Sequence, residues 1–262
     1  MSTTLQSSDD KNILSKYKDE FIKAVLSFGF LALFVTNTVF FSAVLLFVLM
    51  YAYICSKKPL GNYVHKVCGL WGRSLFYLTP GWKVSLEGLS NLEKDTRATI
   101  IVANHESSID ILVIYFLQKQ FRWLAKQEIF LFPLIGQAMK IAGYVSIKRG
   151  NRASHKQAML ESSKILKNKV SMLFFPEGTR SLLGRPQEFK KGAFRLAIDN
   201  DVPIQPIVLK GAGLLLKKGS LCPRKATVKV KILPALKHLP SDTPETYALK
   251  VQKIISEQHI KL

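Results

Sequence analysis

The amino-acid sequence predicts an α/β domain, with parallel strand pairs flanked by helices, behind an N-terminal helical membrane anchor. Three observations predict it. No charged residue occurs from Ala24 through Ser56. After Pro80, short runs of strand character alternate with longer runs of helical character, as in sheets with parallel pairs. Each unusual polar cluster follows directly on one of the candidate strands.

The uncharged run comes first in the chain. A membrane span needs roughly 20 apolar residues. As one helix, residues 24–56 reach roughly 50 Å, beyond the ~30 Å hydrocarbon core. Two arrangements are open: a long tilted span, or two short helices that enter and leave the same face with a bend near Thr36-Asn37-Thr38. Lys11, Lys16, Lys18 and Lys23 precede the run, and Lys57, Lys58, Lys66 and Arg73 follow it. Positive charge favours the cytosolic side, so balanced flanks fit the hairpin. The run is too long for the core of a signal peptide. Trp71, Phe76, Tyr77 and Trp82, interleaved with Arg73 and Lys83, suit either a headgroup boundary or core packing. Residues 1–79 are read as tail and anchor, and residues 80–262 as one domain.

Within 80–262, strands are expected at Lys83–Glu87, Thr99–Ala103, Arg122–Ala125, Tyr144–Lys148, Ser171–Phe175, Ile204–Leu209 and Thr227–Leu233. Helices are expected at Ser107–Leu117, Pro133–Ile141, Ser154–Lys167, Lys191–Asp199 and Thr246–Ile260. Ligands of parallel α/β sheets bind at the carboxyl ends of strands. Clusters at equivalent strand ends therefore converge if the strands are neighbours.

The first cluster is Asn104-His105-Glu106-Ser107-Ser108-Ile109-Asp110. Ser107 or Ser108 can cap the helix that begins there. Asp110 falls in its first turn and can reach back to His105. A carboxylate on one imidazole nitrogen fixes the tautomer, leaving the other free to take a proton from a hydroxyl. A loop histidine beside a capping aspartate is the plainer alternative. The second cluster is Phe175-Pro176-Glu177-Gly178-Thr179-Arg180. It turns off a buried strand, with Gly178 admitting close approach and Arg180 offering a fork suited to phosphate. Glu177 is placed to orient that arginine or to bond a substrate hydroxyl. The third is Lys148-Arg149-Gly150, with Lys126 and Arg152 nearby, able to hold an anionic headgroup. Lys190-Lys191 open a helix, where cations are disfavoured, and so hint at anion binding. His65, His155, His238 and His259 read as surface or packing residues.

Lys and Arg number 38 against 18 acidic residues, a net charge of +20. That surplus attracts polyanions such as nucleic acid, lipid headgroups or an acidic carrier. No helix-turn-helix, zinc-finger or aromatic-rich RNA motif accompanies it, so nucleic acid is not an expected partner. Cys55, Cys68 and Cys222 form neither a CxxC pair nor a zinc spacing. No G-x-S-x-G elbow is present, which disfavours a serine hydrolase.

Asn104-His105 with Asp110, the stretch 143–149, Phe175–Arg180 and Val202-Pro203-Ile204-Gln205-Pro206 resemble, in order, four blocks of the glycerolipid acyltransferases. Bacterial 1-acyl-sn-glycerol-3-phosphate acyltransferases are the most similar members. Lys126-Gln127-Glu128 with Pro133 and Gly136 also matches. The resemblance covers roughly residues 84–209. It implies a mixed, partly parallel sheet flanked by helices, with an N-terminal two-helix membrane element. It implies His105, oriented by Asp110, as general base on the free hydroxyl of lysophosphatidic acid. The acyl group comes from a thioester of acyl carrier protein or coenzyme A, with no other cofactor and no metal. Arg149, Arg180 and Lys126 then hold the phosphate, with Glu177, Gly178 and Thr179 shaping the pocket. The expected setting is an inner, cytoplasmic membrane with the catalytic domain on the cytosolic side. Lys148 stands where the family often has an acidic residue. Other acceptors, a different lysolipid or glycerol 3-phosphate, remain open, as does a non-catalytic protein that binds anionic lipid by charge.

Overall fold

The computed structural model describes residues 3–55, 60–181, 184–217 and 219–262, with residues 3–14 described by backbone alone. Ser56, Lys57 and Lys58 lie outside the described residues, as does the side chain of Lys11.

Helix α1 spans Thr3–Ile54 without interruption, about 78 Å at 1.5 Å per residue. Its segment Ser15–Ile54 is long and apolar enough to cross a membrane. The bend expected at Thr36-Asn37-Thr38 does not occur. Thr38 donates to the Phe34 carbonyl at 2.7 Å, a back-bond that a helix accommodates. Asn37 is buried against α2 (Leu60–Leu78), donating to the Trp71 carbonyl and accepting from the Ser74 hydroxyl at 2.9 Å. These polar groups serve a helix–helix contact, not a turn. The reversal comes after Ile54, and α2 runs back along α1 with Phe34 edge-on to Trp71.

Among the described residues seven strands follow: β1 (Trp82–Glu87), β2 (Ile100–Ala103), β3 (Phe121–Lys126), β4 (Val145–Ile147), β5 (Ser171–Phe174), β6 (Ile204–Lys210) and β7 (Ala226–Ile232). They form one sheet in the order β1-β7-β6-β2-β5-β3-β4. Every neighbouring pair is parallel except β6–β7. β2 is central, with Ile100 opposite Met172 on one side and Ile204 on the other.

Helices between the strands are α3 (Asp110–Ile114), α4 (Ile135–Ile141), α5 (Arg152–Lys167), α6 (Gly192–Asp199), α7 (Ala212–Leu215) and α8 (Pro244–Lys261). Strand alternation divides the core. Ile101, Ala103, Leu173 and Ile207 face Leu75, Phe76 and Leu112 of α2 and α3. Ile100, Val102, Met172 and Ile204 face Leu166, Phe194, Tyr247 and Val251 of α5, α6 and α8. Both faces are covered, so β2 is apolar throughout and all of β5 and nearly all of β6 are buried.

Two helices begin two or more residues later than their sequence suggests. The helix expected from Ser107 begins at Asp110, has no side-chain cap, and passes into a 3-10 turn over Tyr115–Leu117. The Asp110 carboxylate draws in the N–H groups of Glu106 and Ser107, which bends that backbone out of helical conformation. The helix expected from Pro133 begins at Ile135, after Leu134 at φ 64°.

Phe194 is fully buried between sheet and α8, edge-on to Tyr247. Truncation of such an aromatic costs about 3–5 kcal/mol. Phe194→Ala is expected to lower the thermal midpoint of the purified protein clearly. An unchanged midpoint contradicts this account of the core.

Candidate active site

β2, β5, β3 and β4 are consecutive and parallel, so their carboxyl ends share one edge. That edge carries His105 after β2, the 175–180 turn after β5, Lys126 closing β3 and Arg149 after β4. The expected convergence occurs. A cavity of about 1120 Å³ opens there. His105, Lys126, Arg149, Gly178 and Thr179 line its polar end, and Phe30, Phe34, Phe41 and Leu45 of α1 line its apolar side.

His105 Nδ1 lies 2.7 Å from Asp110 Oδ2. The same oxygen accepts the backbone N–H groups of Glu106 at 2.7 Å and Ser107 at 2.9 Å. Asp110 is fully buried, and burial pushes its carboxyl above the ordinary aspartate range, against the pull of the His105 hydrogen bond. His105 lines the cavity and Asp110 does not. Nε2 has no hydrogen-bond partner among the described residues. Phe175 stacks on the imidazole at 4.1 Å between centroids and 14° between planes. This arrangement can accept a proton from a hydroxyl in the cavity and hold the resulting cation against a buried carboxylate.

Three ties hold the histidine's backbone. The Asn104 amide exchanges two 2.8 Å hydrogen bonds with the backbone of Leu209 in β6. Glu177 accepts the His105 N–H at 2.9 Å, and Ser181 donates to the His105 carbonyl at 2.8 Å. Glu177 thus differs from its expected place: it is buried, bonds backbone, and does not line the cavity. Burial pushes its carboxyl above the usual range, opposed by the N–H groups of His105 and Gln187. Its Oε2 has no hydrogen-bond partner within bonding distance among the described residues. Arg180 is exposed and also lies outside the cavity lining.

The cations separate in the same way. Lys126 pairs with Glu128 at 3.0 Å while lining the cavity. Lys148, Arg149 and Arg152 line it too. Of the helix-opening pair, Lys190 reaches the cavity over Gly178, while Lys191 turns away to Glu245 at 2.7 Å. His155, read as an ordinary surface residue, lines the cavity with Arg152 and Met159. Their i, i+3, i+7 spacing on one helix face was the available signal. His259, also read as ordinary, is buried against Glu106. His65 is a packing residue bonded to the Tyr144 hydroxyl and the Lys119 carbonyl.

A family model described as Acyltransferase matches residues 83–210. The chloroplastic 1-acyl-sn-glycerol-3-phosphate acyltransferase of Arabidopsis thaliana is 39% identical over 156 residues, covering 60% of this chain and 43% of the relative. The 1-acyl-sn-glycerol-3-phosphate acyltransferase of Cocos nucifera is 34% identical over 210 residues, covering 79% and 65%. The chain spans about half the length of the first plant and algal relatives it matches. Among solved structures, the 1-acyl-sn-glycerophosphate acyltransferase of Thermotoga maritima superposes with a TM-score of 0.79 at 26% identity, covering 92% of this chain and 96% of that one. Fold, ordered blocks and relatives agree that residues 83–210 of the chain form a domain of the acyltransferase family.

Proposed function

We propose that the protein transfers a fatty acyl group from the thioester of acyl carrier protein or coenzyme A to the sn-2 hydroxyl of 1-acyl-glycerol 3-phosphate, giving phosphatidic acid. The observation that carries this reading is the His105–Asp110 pair, with Nδ1 engaged and the other ring nitrogen free at a cavity both basic and apolar. His105 takes the hydroxyl proton as the oxygen attacks the thioester carbonyl. The C–S bond breaks, and the imidazolium returns its proton to the departing sulfur. Asp110 sets the tautomer and stabilises the cation. Arg149 and Lys126 hold the phosphate, Gly178 and Thr179 shape the headgroup pocket, and Arg180 acts from outside the cavity wall. Glu177 positions the His105 backbone. Residues 1–79 act as membrane anchor and 80–262 as catalytic domain, facing the cytosol of a cytoplasmic membrane. The names of the curated relatives support this acceptor.

General-base catalysis contributes about 10²–10⁴-fold. His105→Ala is expected to lower turnover by at least that lower bound without shifting the thermal midpoint. Phosphatidic acid formation from labelled donor checks it, and a variant that keeps most of its activity sinks the dyad. Arg149→Ala is expected to raise KM for lysophosphatidic acid with little change in kcat, as lost uniform binding does. An acceptor panel decides between this substrate, other lysolipids and glycerol 3-phosphate.

Glu177 gives a pH prediction. Its folded pKa is raised, so the native state holds the proton more tightly than the unfolded chain does. Its contribution is therefore fully present below the ordinary glutamate pKa and is lost as pH rises through the raised value. Glu177→Gln removes this loss. The midpoint of the glutamine variant, relative to wild type, should climb as pH rises through that window. A constant difference refutes the assignment.

A further inference from the structure

Back to back with the dyad stands a second carboxylate–histidine pair. Glu106 follows His105 in the chain, and its side chain is only 7% exposed. Its Oε1 lies 2.9 Å from His259 Nε2, and its Oε2 accepts the Gly211 N–H at 2.9 Å. His259 is buried in the last turn of α8. Its carbonyl accepts from Lys210 Nζ at 3.0 Å. The Glu106 backbone N–H is itself a donor to Asp110 Oδ2. One residue thus connects the dyad to the end of β6 and to α8. Neither Glu106 nor His259 lines the cavity.

A buried carboxylate is costly to desolvate, and a buried ion pair is a poor device for raw stability. It is a good device for fixing one geometry. The loop from Asn104 to Asp110 has to aim a ring nitrogen to within fractions of an ångström, and small misplacements of reacting groups cost large factors in rate. We propose that Glu106 and His259 are positioning residues for the general base, clamping the backbone between His105 and Asp110 so that the free imidazole nitrogen stays aimed into the cavity. This rests on the reading of His105 as the base.

The test is steady-state acyl transfer by the purified full-length protein for Glu106→Ala, His259→Ala, His259→Gln and the double alanine variant, with thermal midpoints for each. His105→Ala and Glu245→Ala accompany them. Glu245 holds the opposite end of α8 through the exposed Lys191 pair, so Glu245→Ala leaves kcat at the wild-type value. Both single alanine variants should lower kcat by roughly 10- to 100-fold, with KM for lysophosphatidic acid nearly unchanged. His259→Gln keeps a donor and should recover most of kcat. The double variant should lose no more than the worse single, because the pair acts as a unit. Where His259→Ala does not fold, His259→Leu keeps the packing of α8, removes the donor, and should show the same fall in kcat. Wild-type kcat per folded molecule in the alanine or leucine variants, beside an inactive His105→Ala, overturns the positioning role and leaves the base assignment standing. Full activity in His105→Ala overturns the reading beneath both.

Discussion

β2 is only four residues long, yet it hydrogen-bonds to β5 on one edge and β6 on the other, and all four of its side chains are buried. The site depends on that double parallel pairing. Because β5 and β6 run the same way as β2, the backbone that leaves β2 at Asn104 emerges between two neighbours able to grip it. Leu209 of β6 takes the Asn104 amide, and Glu177 beyond β5 takes the His105 N–H. A slip of one residue in this register exchanges Ile101 and Ala103 with Ile100 and Val102 between the two cores. It also withdraws the histidine from both partners. The apolar burial that selects the register and the polar contacts that set the base are therefore one constraint.

In a chain of net charge +20, three buried carboxylates gather around a single imidazole. Asp110 meets the ring, Glu177 accepts the backbone N–H of the histidine, and Glu106, the next residue, turns its carboxylate to His259 and the Gly211 N–H. Each is sheltered from water and held by N–H donors, the usual condition for a carboxylate to stay buried. The Glu106 charge adds to the burial that raises Asp110. The basic residues stand on the other side of the histidine, along the cavity rim. Negative charge behind the base and positive charge before it is an arrangement suited to drawing an anionic substrate in.

Much of this was legible in the residues. All seven strands lie close to where the residues place them, because an apolar run buried on both faces, as in β2 and β5, and a strict alternation, as in β7, are both local signals. The spacing of His105 and Asp110 is likewise local, since one turn of chain returns the carboxylate to the ring. Partners far apart in sequence were not legible. Glu106 meets His259 across 153 positions, and β1 pairs with β7 from the opposite end of the domain. No periodicity encodes such distances. Asn37 misled for a related reason: a polar residue in an apolar run suggests a turn, and only the arrival of α2 shows that its amide is spent between helices. Glu177 and Arg180 share one motif but point to different surroundings, because the turn at Gly178 (φ 70°) separates them.

One wall of the cavity is a helix whose remaining circumference is apolar and exposed, with Phe28, Phe40 and Phe47 turned outward while Phe30, Phe34 and Phe41 face in. That helix has two competing neighbours, the folded domain and the surrounding medium. The shape of the cavity is therefore a joint property of chain and solvent. An amphiphile that wedges between α1 and α4 enlarges the space and competes for it. A detergent chosen to extract the protein then behaves as a ligand, and its concentration becomes a kinetic variable in its own right.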